Sequence, residues 1–136
     1  MRAILRTMES HASGRDYFEK DLLARELGIE LVEISPGAAR VRLPTSSRRL
    51  NGLGTTHGAL LFALADIAFA TACNSHGQTA IGIQANITYL VAAGDGPLEA
   101  RAREISRGRK LATYEVRVLD SEERQVATFQ ATAYLR

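Results

Sequence analysis

Downstream of Asn74-Ser75-His76-Gly77 the hydrophobic positions change their repeat from about 3.6 residues to 2, and the shorter period persists to the C-terminus. The segments TAIGIQANITYLV, PLEARAREIS, LATYEVRVLD and RQVATFQATAYLR each have strand length, and turn-forming residues separate them at 94–97, 106–110 and 120–124. They predict four antiparallel strands in meander order. In the last, Ala127, Phe129, Ala131, Ala133 and Leu135 share one face; in the one before it, Ala112, Tyr114, Val116 and Val118 do the same. So many alanines allow another element to approach the sheet closely.

Upstream, Asp16 to Leu27 places Phe18, Leu22, Leu23 and Leu27 on one side of a short amphipathic helix that stops at Gly28. IELVEIS and AARVRLP flank Pro36-Gly37 and predict a hairpin. The stretch 44–56 is rich in turn formers and polar residues and predicts an exposed loop leading into a helix from about His57 to Asn74. From Ala59 to Cys73 that helix is apolar nearly all round, which calls for cover on most sides. A sheet wrapped around one buried helix, an α+β arrangement, follows. One carboxylate, Asp66, interrupts the apolar run, and an unpaired buried charge costs several kcal/mol.

Composition narrows the class. With 136 residues and 14.8 kDa the chain has the size of a single domain, 1–136, and no linker or repeat divides it. The single cysteine excludes an internal disulfide and favours a reducing, cytoplasmic setting. No apolar run approaches a membrane span, and the N-terminal MRAILRTMESHASGRDYFEK lacks the apolar centre of a signal peptide. A net charge of +2 with both signs scattered gives no basis for binding nucleic acid.

Between Asn51 and Gly77 the chain carries Asn51-Gly52, His57-Gly58, Leu64-Ala65-Asp66 and Asn74-Ser75-His76-Gly77. This series resembles the signature of hot-dog-fold acyl-CoA thioesterases, and within them the phenylacetate-degradation subfamily; the order of predicted elements is similar too. Two positions depart from that pattern: His57-Gly58-Ala59 stands where His-Gly-Gly is usual, and 89–93 reads YLVAA where Arg-Pro is frequent. The resemblance implies hydrolysis of an aryl-acetyl-CoA such as phenylacetyl- or hydroxyphenylacetyl-CoA, with coenzyme A part of the substrate and no other cofactor. It also implies sheets joined edge to edge in a dimer, active sites between subunits, and two dimers forming a homotetramer.

Thioester hydrolysis needs stabilisation of negative charge on the carbonyl oxygen, and a base or nucleophile. Gly58, at a helix start with unpaired N–H groups and a positive dipole end, suits the first task. Asp66, poorly solvated among apolar residues, suits the second, as general base or by direct attack; the bland alternative is a structural carboxylate. The two are eight residues apart, about 12 Å of helical rise, so one helix does not easily supply both to one reacting group. A second copy related by a two-fold axis does.

By resemblance, Asn51 and His57 orient the thioester or the attacking water; His57 is otherwise a structural residue at the helix start. Arg107, Arg109 and Lys110 cluster between strands, where they suit the phosphates of coenzyme A or form a solvated basic turn. Cys73, inside the apolar helix, is a poor nucleophile. No metal-ligand spacing and no Gly-x-Ser-x-Gly elbow occurs. Two other functions fit the same fold: a hydratase or dehydratase acting on an acyl thioester, and a non-catalytic acyl-CoA binding module.

Overall fold

The computed structural model describes residues 13–136, so the reading of residues 1–12 as free of a leader lies outside it. Residues 13–20 are helical (α1), and a second short helix, α2, spans Leu22–Glu26. Two helices thus stand where the sequence predicts one. The break falls at Asp21, whose backbone is extended (φ −76°, ψ 101°) and whose side chain accepts the Ala24 N–H at 3.0 Å as an N-cap. The interruption changes which residues face inward. Ala24 and Ile29 are buried and Phe18 and Leu27 pack against the core, but Leu22 is 72% exposed and Leu23 is exposed as well.

The predicted hairpin forms from β1 (Glu30–Ser35) and β2 (Ala38–Leu43). Its turn uses Gly37 at φ 76°, the left-handed region that glycine reaches without a side-chain penalty. After the central helix α3 (Gly58–Cys73) come β3 (Ala80–Tyr89), β4 (Leu98–Arg107), β5 (Leu111–Asp120) and β6 (Gln125–Leu135). All neighbouring pairs are antiparallel, but the sheet order is β1-β2-β4-β5-β6-β3. Only β4, β5 and β6 form the expected meander. β3 lies at the far edge beside β6, and β4 pairs with β2. A turn signal such as Gly94-Asp95-Gly96-Pro97 marks where the chain changes direction, not which strand it next meets. Here the 90–97 segment crosses instead of folding back: Leu90 and Val91 N–H both reach the Val126 carbonyl, and Thr56 N–H reaches that of Ala93.

The inward face of the sheet is the one the alternation predicts. Ala112, Tyr114, Val116, Val118, Ala127, Phe129, Ala131, Ala133 and Leu135 are all buried, and α3 packs across them and across β2 and β4. The alanines bring the helix close enough for Phe69 to meet Tyr114 edge-on at 5.6 Å and Phe129 at 6.2 Å. Gly82 on β3 belongs to the same packing: a carbon added there would lie 2.9 Å from the Phe69 ring.

At the C-terminal end of α3 every exit is fastened. The Asn74 amide accepts from Ala80 N–H (3.0 Å) and donates to the Ala80 and Ala70 carbonyls (3.1 and 2.9 Å), tying the helix to the start of β3. The buried Ser75 hydroxyl donates to Ala72 O and accepts Gly37 N–H, tying it to the β1–β2 turn. No described helix is long and apolar enough to cross a membrane.

Candidate active site

Gly58 is the first residue of α3. Its N–H has no partner among the described residues, as expected for the first turn of a helix. His57 precedes it as N-cap, exposed, with φ −59° and ψ 132°, and its Nδ1 accepts the Ala59 N–H at 3.2 Å. An accepting Nδ1 carries no proton, so the neutral ring holds its hydrogen on Nε2, free to donate outward. The structural role considered for His57 is thus occupied by one nitrogen and leaves the other available.

The loop before α3 is less exposed than its composition predicts. Arg49 is only 6% exposed. Its guanidinium donates to the carbonyls of Pro44 (2.9 Å), Gly94 (3.1 Å) and Gly96, and to the Thr56 hydroxyl (3.1 Å); that hydroxyl donates to Gly94 O. The Arg49 carbonyl accepts His57 N–H. The cation thereby fastens the start of α3 to the 93–97 segment and needs no carboxylate. Asn51 lies in the outer part of this loop, its side-chain oxygen accepting from Leu53 and Thr55 N–H and its amide donating to the Thr55 hydroxyl. It holds its own turn, and its second amide N–H has no partner among the described residues.

Asn51, Gly58, Leu61, Tyr89, Leu90 and Val91 all line one open cavity of about 290 Å³. Tyr89 lies across Gly58, with its hydroxyl donating to the Gly58 carbonyl at 3.1 Å. The sequence marks this tyrosine only as the first residue of 89–93, a departure from the family pattern expected to bear on substrate contacts; its place beside Gly58 was not legible, because it occupies the last position of a regular strand. Nothing local marks a strand end as a cavity wall.

Asp66 is not in that cavity. It stands on the one face of α3 that the sheet does not cover, where Ala59 is also exposed and Ala63 and Ala70 are half-buried. The expectation of a helix covered on most sides thus holds except along this stripe. The carboxyl reaches solvent in the single chain, yet the surrounding apolar mass raises its pKa above the ordinary carboxylate value, and the negative charge of Asp21 raises it further. Tyr17 shares this neighbourhood, its hydroxyl pushed up to about 12 by burial and then by Asp21, Cys73 and Asp66. Burial likewise pushes the Cys73 thiol up to about 12, which leaves it protonated and inert.

The basic cluster divides. Arg107 ends β4 with its guanidinium turned inward, donating to the Gln78 amide oxygen (2.8 Å) and 3.6 Å from Glu104. Arg109 and Lys110 are exposed, Lys110 lying 5.9 Å from the centre of the Tyr134 ring. The strand register sets these residues far from Gly58. Arg107 pairs with Ala112, Ala112 with Ala133 and Ala133 with Gly82, whereas Gly58 meets Tyr89. Gly82 and Tyr89 are seven positions apart along β3, roughly 20 Å.

The model of the thioesterase superfamily matches residues 53–127, more than half of the chain. The chain belongs to that superfamily. This thioesterase is 34% identical over 119 residues to the acyl-coenzyme A thioesterase PaaI of Escherichia coli, covering 86% of this chain and 84% of that one. It is 38% identical over 122 residues to a putative esterase of Archaeoglobus fulgidus, covering 88% and 79%. Its fold superposes on the solved E. coli PaaI structure, from the phenylacetic acid degradation operon, with a TM-score of 0.91, 30% identity and 96% of each chain covered. The hot-dog fold is therefore confirmed, and the enzyme is a thioester hydrolase.

Proposed function

We propose that this thioesterase hydrolyses an aryl-acetyl-CoA of the phenylacetyl type, in a site completed by two copies of the chain. The observation that carries the shared site is the separation of its two halves. A free N–H at the positive end of α3 opens on a cavity, while the carboxylate eight residues later faces away from that cavity along a strip of alanines. The unpaired outer edge of β3 supports edge-to-edge pairing: among the described residues this ten-residue strand has β6 as its one neighbour, and it leaves Ile81 and Ile83 exposed. Antiparallel pairing of two such edges brings the Gly82 end of one strand beside the Tyr89 end of the other. The partner's Asp66 then faces this Gly58, and the partner's Arg109 and Lys110 approach the mouth of the cavity. Two such dimers make up the tetramer.

In this arrangement the thioester oxygen accepts the Gly58 N–H, which stabilises the charge that develops there. The partner's Asp66 takes a proton from water as water attacks, or attacks the carbonyl carbon itself. When water attacks, the C–S bond breaks and Asp66 passes its proton to the departing sulfur as CoA thiol; when Asp66 attacks, CoA thiolate leaves with Asp66 acylated, and water then hydrolyses the mixed anhydride, which restores the carboxylate and supplies the proton for the thiolate. The residues supply these steps without a metal. Similarity to the phenylacetate-operon protein supports the aryl-acetyl group. The test is free-thiol release from phenylacetyl-CoA and straight-chain acyl-CoAs by the wild type and a folded Asp66→Asn variant. The expected result is turnover fastest with phenylacetyl-CoA and lost in the variant. Tight binding of acyl-CoA without thiol release would contradict it.

A further inference from the structure

Gly58 does not need to be glycine for its backbone angles, since its φ is not in the left-handed region. What a side chain there would crowd is Tyr89. A side-chain carbon at position 58 would lie 3.1 Å from Cζ, 3.2 Å from the hydroxyl and 3.3 Å from Cε1 of that ring. The space that the missing side chain leaves at the N–H is therefore already bordered by a phenol, pinned there by its hydrogen bond to the Gly58 carbonyl. The ring is 52% exposed, so one side rests against the helix start while the rest remains open to the cavity. Leu61, Leu90 and Val91 supply the other apolar walls. A cavity of about 290 Å³ is at the small end for a ligand site.

We propose that Tyr89 determines acyl specificity: the tethered ring limits the depth of the cavity beside the Gly58 N–H and offers an exposed aromatic surface to a compact, flat acyl group. Planar aryl-acetyl groups fit between the ring and the apolar wall in an offset or edge-on contact. A long alkyl chain has to displace the ring and break its tether. This rests on the proposed acyl-CoA hydrolysis at Gly58 and goes beyond it by naming the residue that selects the acyl group.

The test measures kcat/KM for phenylacetyl-CoA and lauroyl-CoA, by thiol release, in the wild type, Tyr89→Phe, Tyr89→Leu and Tyr89→Ala. Only variants that keep the wild-type oligomeric state and far-ultraviolet spectrum are compared; the leucine variant retains apolar bulk at the strand end should alanine unfold it. The wild type is expected to prefer phenylacetyl-CoA. Losing the ring should shift the ratio toward lauroyl-CoA by about tenfold or more, the scale on which an altered pocket discriminates. Tyr89→Phe keeps the ring but not the tether and should shift the ratio in the same direction by less. A purely structural role would lower both rates together and leave the ratio fixed, which would overturn the proposal while hydrolysis at Gly58 stands. A wild type that prefers lauroyl-CoA overturns it equally. No thiol release from either substrate by the wild type would overturn both this assignment and the proposed function.

Discussion

The two ends of α3 are built on opposite plans. At the C-terminal end most polar groups meet partners within the chain: Asn74 and Ser75 fasten neighbouring elements, Glu104 accepts the Tyr114 hydroxyl at 2.7 Å and lies 3.0 Å from His76 Nε2, and Arg107 Nη1 is the buried side-chain atom among the described residues left without a hydrogen bond. At the N-terminal end Gly58 keeps an unpartnered N–H, His57 keeps a free ring nitrogen, and a cavity opens where packing would otherwise continue. Satisfied buried polar groups hold a structure in one arrangement, whereas unpartnered groups that open on a cavity are free to meet a ligand. The same helix thus serves as an anchor at one end and, in the proposed function, as a reactive site at the other, with Asp66 between them on the uncovered face.

The largest effect should come from the uncovered face. Asp66→Asn keeps the shape and removes the base or nucleophile, so kcat should fall by about 10²–10⁴ with Tm unchanged or raised. At the open end, Gly58→Pro removes the N–H while keeping a residue favoured at the first helical position; because it also sets a carbon against the Tyr89 ring, its reference is Gly58→Ala, which adds that carbon and keeps the N–H. His57 already has the extended backbone that precedes proline, and kcat should fall by about 10²–10³. The closed end should respond in the opposite sense. Glu104→Ala leaves the buried Tyr114 hydroxyl and Arg107 without their carboxylate, and urea unfolding should show a loss of about 1–3 kcal/mol. The kcat of the folded fraction should stay near wild type.

The smallest effect is on pH dependence. Asp66 must be ionised to act, and its raised pKa places the acid limb of activity above the range of an ordinary carboxylate. Because the folded-state pKa lies above the unfolded one, the fold is favoured by Asp66 at low pH, and that contribution is lost as pH rises through the folded pKa. Asp21→Asn removes the like charge and retains an N-cap as good as aspartate. The acid limb of kcat against pH should move to lower pH, with α2 intact.

How far the sequence revealed this contrast depended on whether the signal was local. The period-2 strands and the buried alanine face were legible because alternation is a property of the chain itself, and His57, Gly58 and Asp66 because helix start and charge in an apolar run are local too. The placement of β3 at the sheet edge was not, since strand pairing is decided by where the chain crosses after Tyr89. Arg49 was invisible for a related reason: an arginine in a polar loop looks solvated until the carbonyls of 94 and 96 arrive from another part of the chain. Arg107 was misplaced because its partner Gln78 is distant in sequence. Tyr89 combines both difficulties, being an ordinary strand residue whose role exists only beside Gly58.

The shared site is tested most directly by mixing subunits. Asp66→Asn and Gly58→Pro homo-oligomers, each inactive alone, are unfolded together, refolded and assayed for thiol release. If Gly58 of one chain works with Asp66 of the other, each mixed dimer regains one intact site, and activity should return to about a quarter of wild type. If both residues act within one chain, every site in the mixture lacks one of them and no activity returns, which would contradict the account.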